Sequence, residues 1–252
     1  FSMMGAQGLS GFYISKVQKM DASRMKIVVK DATFNIEQRT VKISIVTVSR
    51  EADATLFQMN KVSGSDQTFN PSLSDEPQVT FDNCDVTVTH DGSPTALVHM
   101  NQVYQLGLGI SFNGGSYNLL TSKKTTSNHQ AFLYVEGGRA TKLSGWLRLD
   151  SASVSLKGSP SSKMMPSKLV YFDDIDVNGH KIDIRATKID IIGPTSRIFD
   201  IFQVGHIFMG KRSTAVLENI EADISCTKGH CSFIRGEQGM NVDFTTVGNN
   251  TI

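Results

Sequence analysis

Two short apolar motifs alternate along the chain, and neither buries enough surface to fold alone. The first reads apolar-x-apolar, four residues, apolar-x-apolar. It fits Ile27, Val29, Phe34 and Ile36, then Val79, Phe81, Val86 and Val88. It recurs at Ile110, Phe112, Tyr117 and Leu119, at Leu147, Leu149, Val154 and Leu156, and at Ile182, Ile184, Ile189 and Ile191. Ala215, Leu217, Ala222 and Ile224 make a weaker copy, and Val242 and Phe244 begin a seventh that decays. Alternation at period 2 predicts strands. The small or turn-forming residues in the four-residue gaps predict a bend between two strands.

The second motif begins at Leu56, Leu97, Phe132, Leu169, Ile198 and Phe233, and it interleaves with the first without exception. Self-similarity at 20 to 50 residues signals a repeat architecture. Period 2 excludes helical repeats. A propeller blade needs four antiparallel strands with hairpin turns, whereas each period here offers about three strands and few two-residue turns. Three strands with variable loops is the layout of a parallel β-helix. Like positions then stack at about 4.8 Å, and inward apolar residues form continuous columns that no single coil could bury. The expected fold is all-β: a single-stranded right-handed parallel β-helix, or β-solenoid, of about six to seven coils. In this the chain resembles the right-handed, pectate-lyase-like β-helix superfamily, across roughly residues 25–252. Residues 1–24 are expected to form an N-terminal cap or extension, and Val41 to Val48 to add an extra strand to the first coil.

Composition narrows the class. At 39% apolar and 19% charged the chain is globular. A net charge of +1 gives no push toward nucleic acid. No apolar run approaches the roughly 18 residues of a membrane span, and no signal-peptide pattern opens the sequence. A start at Phe1 reads as a processed product or an excised fragment. The cysteines Cys84, Cys226 and Cys231 are too few for a disulfide framework and the wrong number for a zinc site. Cys226 and Cys231 either clip the loop between them in an oxidising compartment or are two ordinary buried thiols. With no phosphate-cradling loop and no metal-spaced cluster, neither cofactor nor metal is expected.

Stacking turns the alignment into a surface map. In the second motif Phe57, Met59, Val98, Met100, Leu133, Val135, Val170, Phe172, Phe199 and Ile201 should point inward. One outward column then reads Gln58, His99, Tyr134, Tyr171, Asp200, Arg235, and the next Asn60, Asn101, Glu136, Asp173, Phe202, Glu237. His99, Asn101, Tyr134, Tyr171, Asp200 and Glu237 are the expected carbohydrate-binding residues, because tyrosine offers a flat apolar face and a hydroxyl. Glu136 and Asp173 fall on adjacent coils, and two carboxyls about 5 Å apart match a retaining glycosidase. The plainer reading is that outward strand positions are polar in any soluble sheet and that such stacks stabilise it.

A second match is "FDDIDVNGHKI". Asp173-Asp174 and Gly179-His180 look like pieces of the polygalacturonase family's site. The chain departs from that family: Lys181 replaces the second Gly of Gly-His-Gly, no Asn-x-Asp precedes and no Arg-x-Lys follows. His180 reads equally as a turn residue leading into the strand at Ile182.

The turns joining the first motif to the second carry Lys123, Lys124, Lys157, Lys163, Lys168, Arg197 and Lys228 against one acid, Asp91. They predict a basic ridge suited to an anionic polymer such as acidic polysaccharide, or lysines that protect exposed edges from pairing. Nucleic acid is disfavoured because the ridge lacks interleaved aromatics. The expected function is a structural and adhesive module, extracellular, on a cell surface or on a virus particle, that binds surface carbohydrate as adhesins and tailspikes do. Side-by-side homotrimers are expected with it, since tailspikes trimerise along their sides and one outward column breaks to Phe202. A depolymerase acting on an acidic glycan, and a purely architectural shaft, are the alternatives.

Overall fold

The structure, a computed structural model, describes residues 1–5, 9–38, 54–64, 76–90, 95–104, 106–121, 130–136, 142–158, 166–173, 176–202, 213–236 and 242–252. Strands follow one another in threes. They are β1 (Ser2–Gly5), β2 (Leu9–Ser15) and β3 (Ile27–Lys30), then β4 (Thr33–Gln38), β5 (Ala54–Ser63) and β6 (Val79–Asp82). Next come β7 (Asp85–His90), β8 (Thr95–Tyr104), β9 (Leu106–Asn113), β10 (Ser116–Thr121), β11 (Gln130–Glu136) and β12 (Lys142–Asp150). The rest are β13 (Ser153–Lys157), β14 (Pro166–Asp173), β15 (Asp176–Arg185), β16 (Lys188–Gly193), β17 (Thr195–Phe202), β18 (Ser213–Glu218), β19 (Glu221–Cys226), β20 (Cys231–Gly236) and β21 (Val242–Val247).

Every third strand pairs in parallel, which makes three seven-stranded sheets. The first runs β1-β4-β7-β10-β13-β16-β19, the second β2-β5-β8-β11-β14-β17-β20, and the third β3-β6-β9-β12-β15-β18-β21. This is a parallel β-helix. The stretch expected as a cap supplies the outermost strands β1 and β2, paired to β4 and β5. Val41 to Val48 lie outside the described residues.

The first motif aligns as its spacing predicts. Val29, Phe81, Phe112, Leu149, Ile184 and Leu217 follow one another across the third sheet. The rings of Phe81 and Phe112 stack with centroids 5.0 Å apart. From Phe81 to Leu217 this column is buried, and burial of each such side chain contributes about 1.5–3 kcal/mol. The decayed copy is shifted by two residues from expectation: Val242 faces Ser213, Phe244 faces Ala215 and Thr246 faces Leu217. The corner sets this register, because Gly248 takes the left-handed bend that Asn219 takes one coil earlier.

That corner recurs in every coil. Asp31, Asn83, Gly114, Ser151, Ala186, Asn219 and Gly248 all have positive φ, from 42° to 72°. Their amides extend the ladder around the bend: Asp31 N–H donates to Asp82 O, Asn83 to Asn113 O, Gly114 to Asp150 O and Ser151 to Arg185 O. Asn and Asp adopt this conformation more readily than most residues, and here they also bond between coils: Asn83 Nδ2 donates to Asp31 Oδ1 at 2.8 Å. Ala186 has no such group and carries the left-handed cost uncompensated. Ala186→Gly should therefore stabilise the protein by about 1 kcal/mol, read as a higher urea midpoint at unchanged slope. An unchanged or lower midpoint would show that the corner is not strained.

Candidate functional site

The second sheet carries the candidate site, and its strands bend in a repeated way. The pairing steps over one residue per coil, at Gly11 and Leu56, Leu97, Phe132, Leu169, Ile198 and Phe233. There two consecutive side chains enter the core, for example Leu97 with Val98 and Phe132 with Leu133. Beyond the bend, alternation resumes and sends one column outward.

That column is in register as expected: Gln58, His99, Tyr134, Tyr171, Asp200, Arg235. Its central members are nevertheless buried. His99, Tyr134 and Tyr171 are 3–4% exposed, and Asp200 is 0% exposed. Strand spacing stacks the three rings: His99 on Tyr134 at 5.0 Å and 3°, Tyr134 on Tyr171 at 4.9 Å and 9°. Both faces of Tyr134 are thus occupied from within the chain. The ring faces expected to stack on sugars are used by one another, a correction to that mode of binding. Neighbouring Ala96 and Ala131 are buried with the two tyrosines. The sequence carried this signal, since "LVHM", "FLYV" and "LVYF" are near-continuous apolar runs, the signature of a parallel strand covered on both faces.

The next column is half-exposed. Asn60, Asn101 and Glu136 are in register. Asp173 follows the Val135–Phe172 pair on the adjacent strand, opposite Phe202. Glu237 lies outside the described residues, as does the Phe202 side chain. His99 Nε2 and Glu136 Oε1 are 3.0 Å apart, so Nε2 carries the proton that the ionised carboxylate accepts. The Tyr134 hydroxyl donates to Glu136 Oε2 at 2.5 Å, and Tyr171 donates to Asp173. Burial first, then the neighbouring acid, pushes both tyrosines well above the usual phenol range. They stay protonated as fixed donors that orient the two acids.

Two of the expected ridge residues are elsewhere. Lys168 and Arg197 lie within β14 and β17 and not in turns, because those strands begin at Pro166 and Thr195. Both are buried on Asp200: Lys168 Nζ is 2.7 Å and Arg197 Nη1 2.8 Å from Oδ2. Burial pushes the Lys168 ammonium down to about 8, partly offset by Asp200. The structure thus joins three residues that the sequence assigned to two different surfaces. Lys157 ends β13 and is 3.4 Å from Asp190, and Lys228 is exposed within the loop that the Cys226–Cys231 bond closes. Lys123, Lys124 and Lys163 lie outside the described residues. Cys226 and Cys231 are bonded, so they clip the turn between β19 and β20 and are not free thiols.

His180 is no turn residue. It lies within β15, opposite Gly145, and is 3% exposed. An extra residue in β15 shifts the pairing between Leu143 and Gly145, which the spacing did not anticipate. Burial pushes the imidazole down to about 3, so it is neutral and out of reach of a surface substrate. The motif pattern assigns no role to Trp146, outward on the third sheet yet 0% exposed. It faces Gly109, where a Cβ would come within 2.7 Å of the indole, and the Arg148 guanidinium lies 4.9 Å over the ring. The available signal was a glycine beside a tryptophan in aligned copies.

Among the described residues no helix is long and apolar enough to cross a membrane. No family model, curated protein or solved structure significantly matches the chain.

Proposed function

We propose that the chain is a rigid right-handed β-helix of about six to seven coils, working outside a cell or on a virus particle as a structural and adhesive module for surface carbohydrate. The observation that supports binding is the half-exposed column Asn60, Asn101, Glu136, Asp173. Its acids are held from behind by His99, Tyr134 and Tyr171. Amides and carboxylates at strand spacing suit sugar hydroxyls, and fixed side chains lose little freedom on binding. The contact is by hydrogen bonds and not by ring stacking, since the ring faces are filled. The Cys226–Cys231 bond supports an oxidising compartment. Side-by-side trimers belong to the same proposal and are read by light scattering.

Both acids serve as acceptors for tyrosine hydroxyls, an arrangement that favours presentation of the carboxylates over proton donation. A glycan array with the whole chain should give binders. Glu136→Gln and Asn101→Ala should each weaken them about tenfold, the loss of a charge-assisted or ordinary hydrogen bond. A contribution from Lys157 and Lys228 would add a fall in affinity with salt. Release of reducing ends, abolished by Glu136→Gln, would instead make the protein a depolymerase. No binding to any glycan would leave the architectural shaft.

A further inference from the structure

Lys168 faces Arg197 across the second sheet, and Tyr171 faces Asp200. The lysine must therefore run along its own strand to reach the aspartate. It does so across the Tyr171 ring, with Nζ 3.3 Å from the ring centroid and 2.7 Å from Asp200 Oδ2. The two side chains are 1% and 0% exposed. Arg197 Nη1 bonds the same oxygen at 2.8 Å, while Oδ1 has no hydrogen-bond partner.

Burying three charges is a poor way to gain stability, because desolvation consumes most of the attraction. The same arrangement supplies what amide formation needs. An amine is held against a carboxyl group at contact distance, away from bulk water. A guanidinium on one carboxyl oxygen draws electron density from Cγ and holds the negative charge that develops on addition. Burial favours the neutral amine, and the Lys168 group is pushed down to about 8. We propose that Lys168 and Asp200 condense without a partner enzyme into an intramolecular amide that cross-links neighbouring coils.

The step balances within the pair. One ammonium proton passes to the carboxyl group along the hydrogen bond. The Nζ lone pair then attacks Cγ, forming the C–N bond while Arg197 holds Oδ2. A second proton leaves nitrogen for Oδ1, relayed by Asp173, the other carboxylate acting on the Lys168 charge. The proton first placed on Oδ2 then passes to Oδ1, the Cγ–Oδ1 bond breaks, and one water departs with both protons while Oδ2 becomes the amide oxygen. The amide keeps one N–H, and nothing is oxidised or reduced.

The test is the intact mass of the whole chain, measured denatured with the disulfide reduced, after incubation folded at mildly alkaline pH. The expected mass is lower than the sequence mass by one water. Proteolysis should then give a branched peptide joining the segments of Lys168 and Asp200. Lys168→Arg should restore the full mass. If that variant does not fold, the branched peptide from the unmodified chain decides alone. A full mass in the unmodified chain, or a water loss mapped to other residues, overturns the proposal and leaves a buried ion pair.

Discussion

Gly145→Ala should cost about 3–5 kcal/mol, the sum of a strained backbone and an overfilled core. Gly145 has φ +107, a conformation L residues rarely adopt, and a Cβ there would lie 2.4 Å from Leu108 O and 2.5 Å from Leu108 N. Those atoms belong to the backbone of the neighbouring strand and cannot rotate away. For a chain of this size the loss should lower the melting temperature by about 10 °C. Gly114→Asn is the matched control. Gly114 has φ +61, a Cβ there would meet nothing closer than 3.9 Å, and Asn83 and Asn219 fill the same corner in other coils. It should change stability by less than about 1 kcal/mol. Equal effects of the two substitutions would refute the close approach at Leu108.

Acid should destabilise the protein through His180. Its folded-state group is pushed down to about 3 by burial, whereas in the unfolded chain it returns to about 6.5. Between those values the unfolded state binds one more proton, so stability falls as pH falls. The contribution is fully present above about pH 6.5 and lost progressively toward pH 3, on the order of 5 kcal/mol. Carboxylates add their own acid dependence, so the informative quantity is a difference. His180→Leu should flatten the stability profile between about pH 6 and pH 4 relative to the unmodified chain. The imidazole packs edge-on to Phe172, and its Nδ1 has no partner. An apolar replacement also removes an unsatisfied buried atom, so the variant should be no less stable at neutral pH. Parallel profiles for the two proteins would mean that His180 reaches solvent.

What the sequence made legible follows from what repetition encodes. Period 2 and a recurring gap specify which residues share a column, and Val29 through Leu217 or Gln58 through Arg235 stack as read. Alternation separates the two faces of a sheet, but it does not say whether the outer face meets water. The pattern therefore puts Tyr134 and Asp200 in the right column but exposes side chains that are buried. Strand ends are set by backbone pairing, which side-chain pattern reports poorly. The side-chain pattern accordingly reads Lys168 and Arg197 as turn residues, although Ser167 pairs with Ser196 before them. The bulge ahead of His180 shifted a register that no apolar residue marked. Pairing between residues on adjacent coils that are offset along the strand, as in Lys168 with Asp200, needs the register first and the side-chain reach second.

The parallel ladders also decide how the molecule bears load. Strands lie across the long axis, and the backbone hydrogen bonds between them run along it. Tension applied at the two ends therefore falls on the same three ladders at every level, in series, and the weakest level sets the breaking force. At both ends the core side chains are only half-buried, Phe12, Ile14 and Val29 in β2 and β3 and Phe233, Ile234 and Phe244 in β20 and β21, whereas Phe112, Leu149 and Ile184 between them are fully enclosed. Rupture should begin at an end and peel inward, shortening the folded solenoid by one strand spacing at a time while the remainder keeps its shape.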